Sequence, residues 1–280
     1  MCPVGLSGNL YIPHKILARM TYSMGTSGSL VELIRIASEI TRLPPILFHR
    51  ERYTAEDAYY IYNIAKSARD IEPWGPTPYA GFGHIYSGAL GELRTIEAIA
   101  NSDSPGILFN NVHLKLPKDK SIINSVYPER FRMTQLDHVL VGEYGLVIVD
   151  SKNSHLGFSQ TDVDATAWQM NRAAAITELY LKQFVKEVPI IKAAVVYGGI
   201  DSTAILPKNI YFKHSLELIA EFSKQRNISP EQADQIQKLL ACCTVTLRTV
   251  PSNRETSRWA SYNTVANNPE EYDPGTLGQL

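Results

Sequence analysis

The sequence predicts an α/β domain with a mixed central sheet flanked by helices, preceded by a helical N-terminal region. Residues 87–222 change between helical and strand patterns in the order helix, three strands, helix, strand. That order is typical of a mixed sheet with helices on both faces. Successive side chains of the strand LVIVDSK at 146–152 point to opposite faces of the sheet. At the start of this strand both faces carry apolar residues, which indicates a sheet covered on both sides.

Two helices are predicted in the N-terminal region. The first spans 29–43, where Ser29 is the expected cap and a pair of prolines ends the helix. The second spans 54–70, and Thr54 and Asp57 at its start have the spacing of a capping box. A run rich in proline and glycine then predicts a linker, so we place a domain boundary near residue 80 and assign 1–80 to the helical region.

The elements of the predicted core follow from hydrophobic periodicity. They are a helix at 88–101, strands at 106–116 and within 135–153, a helix at 168–187, strands at 191–199 and 209–213, and a helix from Ser215. Ser229 and Pro230 open a further helix with Gln232 in capping-box position, and a short strand completes 229–250. The polar residues 251–280 are expected to be a disordered tail.

Composition narrows the class of protein. The net charge of the 280 residues is -1, so any contact with nucleic acid must use a local basic patch. The three cysteines form no CxxC motif, which argues against a disulfide framework or a zinc knuckle and favours a reducing, cytoplasmic location. No apolar run approaches the roughly 20 residues that span a bilayer, so no membrane association is expected.

The stretch QLDHVLVGEYGLVIVDSKN at 135–153 predicts a hairpin with an aspartate in each strand. A turn of two or four residues gives the same register, in which Asp137 faces Asp150 and Gln135 faces Lys152. Facing residues project to the same side of a sheet, with Cβ atoms roughly 5 Å apart, so the two like charges need compensation. A divalent cation or a shared proton would provide it. The alternative is that the aspartates lie at solvated strand ends.

A third carboxylate belongs to the helix predicted at 88–101. Glu92 falls inside the apolar stripe of this helix, next to Ile96 and Ile99. A carboxylate in a buried stripe is costly unless it is paired or lies near a metal ion. The alternative is a glutamate at the helix start that reaches solvent and is favoured by the helix dipole.

These motifs resemble the nuclease-related domain (NERD) of the PD-(D/E)xK endonuclease-like superfamily. The resemblance rests on GALGE at 88–92, QLDHVLV at 135–141, VIVDSKN at 147–153 and, more weakly, AWQ at 167–169. The resemblance implies a restriction-endonuclease-like core. It also implies the activity of a metal-dependent endonuclease that cleaves phosphodiester bonds of nucleic acid, with DNA as the expected substrate. Asp150 departs from the glutamate usual in the third motif, and Asn171 is followed by Arg172 where proline is usual.

The resemblance also implies roles for individual residues. Asp137 and Asp150 would ligate Mg²⁺ or Mn²⁺ with the carbonyl of Ser151, Glu92 would bind the metal directly or through water, and Lys152 would orient or activate the attacking water. Such a cation neutralises the scissile phosphate and makes water nucleophilic, and a lysine adds positive charge where negative charge develops. The candidate nucleic-acid contacts are Gln135, Asn153, Arg132, Lys118 and Lys120, three of them in a basic segment at 115–132.

Two other functions remain compatible with the sequence. The chain would keep the fold without catalysis if it served as a module that binds DNA or a partner protein. It would alternatively be a structural or assembly protein that uses its N-terminal helices as the interaction surface. Trp168 is expected either to pack in the core or to stack on a base. The sequence does not fix the oligomeric state.

Overall fold

The computed structural model describes residues 21–43, 53–71, 82–102, 105–117, 131–154, 157–213 and 224–244, together with Phe48 and Phe222. The strands are β1 (Thr21–Met24), β2 (Gly106–Lys115), β3 (Met133–Gly142), β4 (Gly145–Asn153), β5 (Ile190–Tyr197) and β6 (Tyr211–Lys213). The helices are α1 (Gly28–Thr41), α2 (Ala55–Ile71), α3 (Phe82–Ala100), α4 (Gln160–Leu181) and α5 (Pro230–Cys242). The helix predicted from Ser215, the predicted linker up to residue 81 and the tail at 251–280 lie outside the described residues.

The six strands form one mixed sheet in the order β1-β2-β3-β4-β5-β6. Strands β2, β3 and β4 are antiparallel neighbours, whereas β1 runs parallel to β2 and β5 runs parallel to both β4 and β6. The predicted α/β class with a mixed sheet is therefore confirmed. Strand β1 was not predicted, because four edge residues without regular apolar alternation carry no strand signal.

Both faces of the sheet are covered, as the apolar strands predict. One face packs against α4 and α5 through residues such as Val139, Ile148 and Ile176. The opposite face packs against α3 through a smaller cluster that includes Leu140, Val149 and Ile99. Strand β4 contributes alternate residues to the two clusters, which is the two-residue period of a central strand.

A third apolar cluster joins α1, α2 and α3. Leu33 of α1 and Ile61 of α2 are buried in it together with Phe82 and Leu93 of α3. The N-terminal helices thus pack on the same helix that covers the sheet. Helix α3 begins at Phe82, inside the segment predicted as a linker, because the ring of Phe82 is buried and stacks on Tyr62 with ring centres 5.1 Å apart.

Helix boundaries follow the caps. The capping boxes predicted at Thr54 and at Ser229 are both present. Helix α1 is capped by Ser27 and not, as predicted, by Ser29. Helix α4 starts at Gln160 and not at 168, because Ser159 and Asp162 form a capping box eight residues earlier than the apolar periodicity suggested.

The hairpin of β3 and β4 has the two-residue turn Glu143-Tyr144, which joins the paired residues Gly142 and Gly145. Val141 pairs with Leu146 and Val139 pairs with Ile148, in the predicted register. The ladder between the two strands ends at the pair of His138 and Val149. The two aspartates therefore lie one step beyond its end.

Candidate active site

Asp137 and Asp150 lie where β3 separates from β4. The predicted pair of Asp137 with Asp150 is absent from the ladder between β3 and β4. Oδ2 of Asp137 instead accepts a hydrogen bond from the backbone N–H of Ser151, at 3.1 Å. Asp150 remains in the sheet, opposite Ala194 of β5, and is 6% exposed. The carboxylate of Asp137 thus reaches the backbone of the residue that follows Asp150, which brings the two acidic groups together.

The pair expected between Gln135 and Lys152 does not form in the sheet, and that expectation was wrong. Beyond Asp137, β3 stays paired with β2 alone, so Gln135 lies opposite His113. The side chain of Gln135 donates from Nε2 to Oδ1 of Asn111, at 2.9 Å. The divergence of β3 from β4 opens the end of the hairpin at the level of the aspartates.

An irregular residue in β2 accompanies this divergence. Asn111 has φ 52°, in the left-handed region, and it lies between the paired positions Asn110 and Val112. Side chains stop alternating there, since Phe109 and Val112 enter the same apolar cluster. Asn is among the few residues other than glycine that adopt this conformation, so the Asn-Asn step inside an apolar strand is a signal that the sequence analysis missed.

Lys152 binds Asp150. Its Nζ lies 2.9 Å from Oδ2 and 3.2 Å from Oδ1 of Asp150, and it is 3.3 Å from Oε1 of Gln169 in α4. Burial acts to lower the pKa of the Lys152 ammonium, but the nearby carboxylates, Asp150 first among them, outweigh it and raise the pKa. Lys152 is therefore a fixed positive charge here, which suits an electrostatic or orienting role better than proton abstraction.

Glu92 approaches the two aspartates from α3. It is 6% exposed, and both carboxylate oxygens accept hydrogen bonds from the start of α1: Oε2 from the hydroxyl of Ser27 and, at 3.3 Å, from the backbone N–H of Ser29, and Oε1 from the hydroxyl of Ser29. Burial raises the pKa of Glu92, and these hydrogen bonds oppose the rise. Glu92 is thus buried, as its place in the apolar stripe predicted, but its partners come from the N-terminal region.

The charges of the cluster do not balance. Burial raises the pKa of Asp137 well above its ordinary value, and the charges of Asp150 and Glu92 raise it further. Three carboxylates face one ammonium, so an additional positive charge or a bound proton would stabilise the group. One atom of Asp150 likewise lacks a donor. Its buried Oδ2 accepts no hydrogen bond from the described residues, because Lys152 Nζ is close enough for an ion pair but lies outside the angles of a hydrogen bond.

The donor set suits a hard divalent cation, which prefers carboxylate and carbonyl oxygens. Within the described ranges, however, no three His, Cys, Asp or Glu side chains are gathered as a ready ligand set. Asp137 and Asp150 are the residues best placed to hold a cation. Oε2 of Glu92 already has two donors, so only Oε1 has a lone pair left for a further contact.

A chain of hydrogen bonds lies beneath the carboxylates, on the α3 side of the sheet. His138 is fully buried, with Nδ1 2.8 Å from Asn110 Oδ1 and Nε2 3.0 Å from Ser151 Oγ. Ser151 Oγ in turn lies 2.8 Å from Thr95 Oγ1 of α3. The chain continues from Asn110 to Ser23 in β1 and from Thr95 to Tyr197 in β5. It supports the backbone at Ser151, next to both aspartates.

A comparison with known families finds a match for part of the chain. Residues 87–211 match the family model described as nuclease-related domain (NERD). This segment, called the NERD domain below, is similar to that family. It contains α3 from Ser87 onwards, β2 to β5 and α4, and hence Glu92, both aspartates and Lys152, but it excludes β1, α1, α2 and α5. A search of curated proteins and a search of solved structures each returned no match.

A NERD domain implies an interaction with nucleic acid in general, and the five predicted contact residues have different surroundings. Gln135 is exposed at the open end of the hairpin. Asn153 is engaged within the protein, since its Nδ2 donates to the carbonyl of Ser87, at 2.9 Å. Arg132 donates from Nη2 to the carbonyl of Leu116, at 3.0 Å. Lys118 and Lys120 lie outside the described residues, and the contacts of all five with nucleic acid remain predictions.

Trp168 lies on the surface of the NERD domain, one residue before Gln169. It is 42% exposed, so it does not pack wholly into the core. The guanidinium of Arg172 lies 4.8 Å from the ring centres of both Trp168 and Phe131. An exposed aromatic ring beside a cation is typical of surfaces that contact bases, although the residues also stabilise one another. Among the described residues, no helix has the length and apolarity needed to cross a membrane.

Proposed function

We propose that this protein is a Mg²⁺-dependent nuclease that hydrolyses phosphodiester bonds, with DNA as its substrate. The observation that supports the proposal is the meeting of Asp137 and Asp150 at the open end of the hairpin, with Lys152 bound beside them, inside the NERD domain. This is the arrangement of oxygen donors and one fixed cation that metal-assisted phosphodiester hydrolysis requires.

The residues of the chain would divide the work. Asp137 and Asp150, with the Ser151 carbonyl, would hold Mg²⁺ or Mn²⁺, and Glu92 would contribute through Oε1. The bound cation supplies charge neutralisation at the phosphate and a lowered pKa for water. Lys152 would direct its ammonium at the oxygen on which negative charge develops, because a charged amine near its carboxylate partner is an electrostatic group and not a base. Gln169 holds Lys152 in place, with Oε1 3.3 Å from Nζ.

Metal linkage tests the first half of the proposal. Adding Mg²⁺ or Mn²⁺ should raise the melting temperature of the protein, because a ligand that binds only the folded state stabilises it by mass action. Asp137→Asn with Asp150→Asn should abolish the shift, and the double variant without metal should be at least as stable as the wild type, since repulsion is relieved. Asp164→Asn, on the exposed surface of α4, is the matched control and should keep the shift.

Cleavage tests the second half. Linear and circular DNA, single-stranded DNA and RNA should be incubated with the wild type in Mg²⁺, in Mn²⁺ and in excess chelator. Metal-dependent cleavage of DNA that disappears in the aspartate double variant and persists in Asp164→Asn is the expected result. Cleavage that survives chelation, or that survives the double substitution, would contradict the proposal. Cleavage of RNA but not of DNA would support the proposed hydrolysis reaction and contradict the proposed substrate.

A non-catalytic binding module is the second candidate. One observation favours it: Lys152 forms an ion pair with Asp150 at 2.9 Å, so the chain itself neutralises part of the negative charge of the carboxylates. Such a module would bind DNA with unchanged affinity in chelator, and neither the wild type nor the aspartate double variant would cleave any of the substrates.

A further inference from the structure

The start of α1 lies against Glu92, although it belongs to a part of the chain outside residues 87–211. We propose that Ser27 and Ser29 are positioning residues of the nuclease site, which fix the carboxylate of Glu92 from outside the NERD domain. The N-terminal region is then an integral part of the site and not a separate module. This inference rests on the proposed nuclease function.

The contacts leave Glu92 one orientation. Oε2 accepts from the Ser27 hydroxyl and the Ser29 backbone N–H, which uses both of its lone pairs. Oε1 accepts from the Ser29 hydroxyl and keeps one lone pair. The serines therefore determine which oxygen of Glu92 is available and where it points. Because donors to an ionised carboxylate form strong hydrogen bonds, the carboxylate is held and not merely accommodated.

Residues 27–29 are themselves fixed by packing. Ser27 caps α1, accepting from the N–H of Leu30 at 3.2 Å, while its hydroxyl donates to Glu92. Gly28 approaches the opened strands so closely that an added Cβ would lie 2.7 Å from Gln135 Nε2 and 3.1 Å from Asn111 Oδ1. The segment is thus held between α3 on one side and the irregular part of β2 and β3 on the other.

The location at a helix start adds to the effect. The N–H groups at the first turn of a helix favour negative charge, and here the charge they meet is the buried carboxylate of Glu92. Loss of the hydroxyls would leave Glu92 free to turn towards other donors. Substituting groups that orient ligands in this way commonly costs 10- to 100-fold in metal affinity or activity.

The first experiment measures metal affinity as well as cleavage. Ser29→Ala alone and Ser27→Ala with Ser29→Ala should weaken Mn²⁺ binding, followed by titration calorimetry, by about tenfold or more. The Mg²⁺ concentration for half-maximal cleavage should rise in parallel. Ser29→Thr, which keeps a hydroxyl, should recover most of the affinity. Ser29→Ala leaves the cap residue in place and so guards against loss of α1 as the cause.

A second pair of variants moves the Ser29 hydroxyl without removing it. A Cβ at Gly88 would lie 2.8 Å from Ser29 Oγ, whereas a Cβ at Gly83 on the same helix would have nothing within 4 Å. Gly88→Ala should therefore push the hydroxyl away from Glu92 and reduce metal affinity and cleavage several-fold. Gly83→Ala, the matched control, should leave both unchanged.

The deciding test repeats the serine substitutions in a Glu92→Gln background. If the serines act through Glu92, their effects on metal affinity and cleavage should largely vanish there, since the group they position is gone. Undiminished effects in that background would overturn the inference and mark the serines as structural residues. Serine variants that bind metal and cleave like the wild type would also overturn it while leaving the nuclease proposal intact. A wild type that neither binds metal nor cleaves would instead refute the nuclease function itself, and the inference with it.

Discussion

His138 makes the stability of the protein depend on pH in a way that can be worked out from its surroundings. The imidazole is fully buried between β2 and β4, and Asn110 and Ser151 contact its two nitrogens. Nδ1 lies 2.8 Å from the acceptor Asn110 Oδ1, so Nδ1 carries a proton. Burial lowers the pKa of His138 from 6.5 to about 3, which means that the folded protein resists its protonation.

The sign and the size follow from proton linkage. Between these two pKa values the unfolded chain binds a proton that the folded protein does not, so the free energy of unfolding falls as the pH falls. The stability is fully present above about pH 6.5, and each pH unit below that costs about 1.4 kcal/mol. At about pH 4.5 the contribution of His138 alone is therefore a loss of about 2.7 kcal/mol, a large part of the stability of a typical domain.

Urea unfolding at about pH 7.5 and pH 4.5 measures this contribution. The free energy of unfolding should fall between the two pH values by about 2.5 kcal/mol less in His138→Asn than in the wild type, whatever the stability of the variant at neutral pH. His84→Asn, at an exposed position of α3, should lose as much as the wild type. The raised pKa values of Asp137 and Glu92 act in the opposite direction, but they are common to all three proteins and cancel in the comparison. Equal losses in wild type and His138→Asn would refute the reasoning.

Three further predictions concern single side chains. Lys152→Ala should reduce cleavage by about a hundredfold or more while metal affinity stays equal or rises, and Lys152→Arg should restore little; unchanged cleavage would contradict the proposed role. Tyr144→Phe should leave the free energy of unfolding unchanged or raise it by up to about 1 kcal/mol, because the buried hydroxyl has no hydrogen-bond partner among the described residues. Tyr144→Ala, which also removes the ring, should lower the free energy of unfolding by about 3–5 kcal/mol. Ser159→Ala should lower stability by about 1 kcal/mol through the cap of α4, and no loss in urea unfolding would show that the cap is dispensable.

The hairpin was predictable because its information is local. Apolar alternation and a short turn determine the pairs of Val139 with Ile148 and of Val141 with Leu146, and hence the approach of the two aspartates. The same reasoning failed at Gln135, because regular alternation assumes that both strands continue side by side. The separation of β3 from β4 accompanies the irregular backbone of Asn111 on a third strand, and a two-strand argument does not contain it.

The contribution of α1 to the site was not predictable for a related reason. Glu92 was identified as a carboxylate in an apolar stripe that needed a partner, but its partners lie more than sixty positions away in sequence. Residues 23–29 have the composition of a loop, and nothing local distinguishes a serine that caps a helix from one that also holds a distant carboxylate. Only the packing of α1 on α3, through a cluster shared by the two helices, brings them together.

The hydrogen-bonded chain through His138 has a consequence for how the sheet is assembled. It joins side chains from β1 to β5 and from α3 in one continuous path: Ser23, Asn110, His138, Ser151, Thr95 and Tyr197. If any one strand shifted by a single residue, the side chain that it contributes to the path would move to the other face of the sheet. The neighbouring polar side chains of the path would then lack hydrogen-bond partners in an apolar interior. Apolar residues of similar size would tolerate many neighbouring alignments, whereas this path tolerates one. A redesigned core that replaced the whole path with apolar side chains should therefore lose the unique alignment of the strands before it lost compactness.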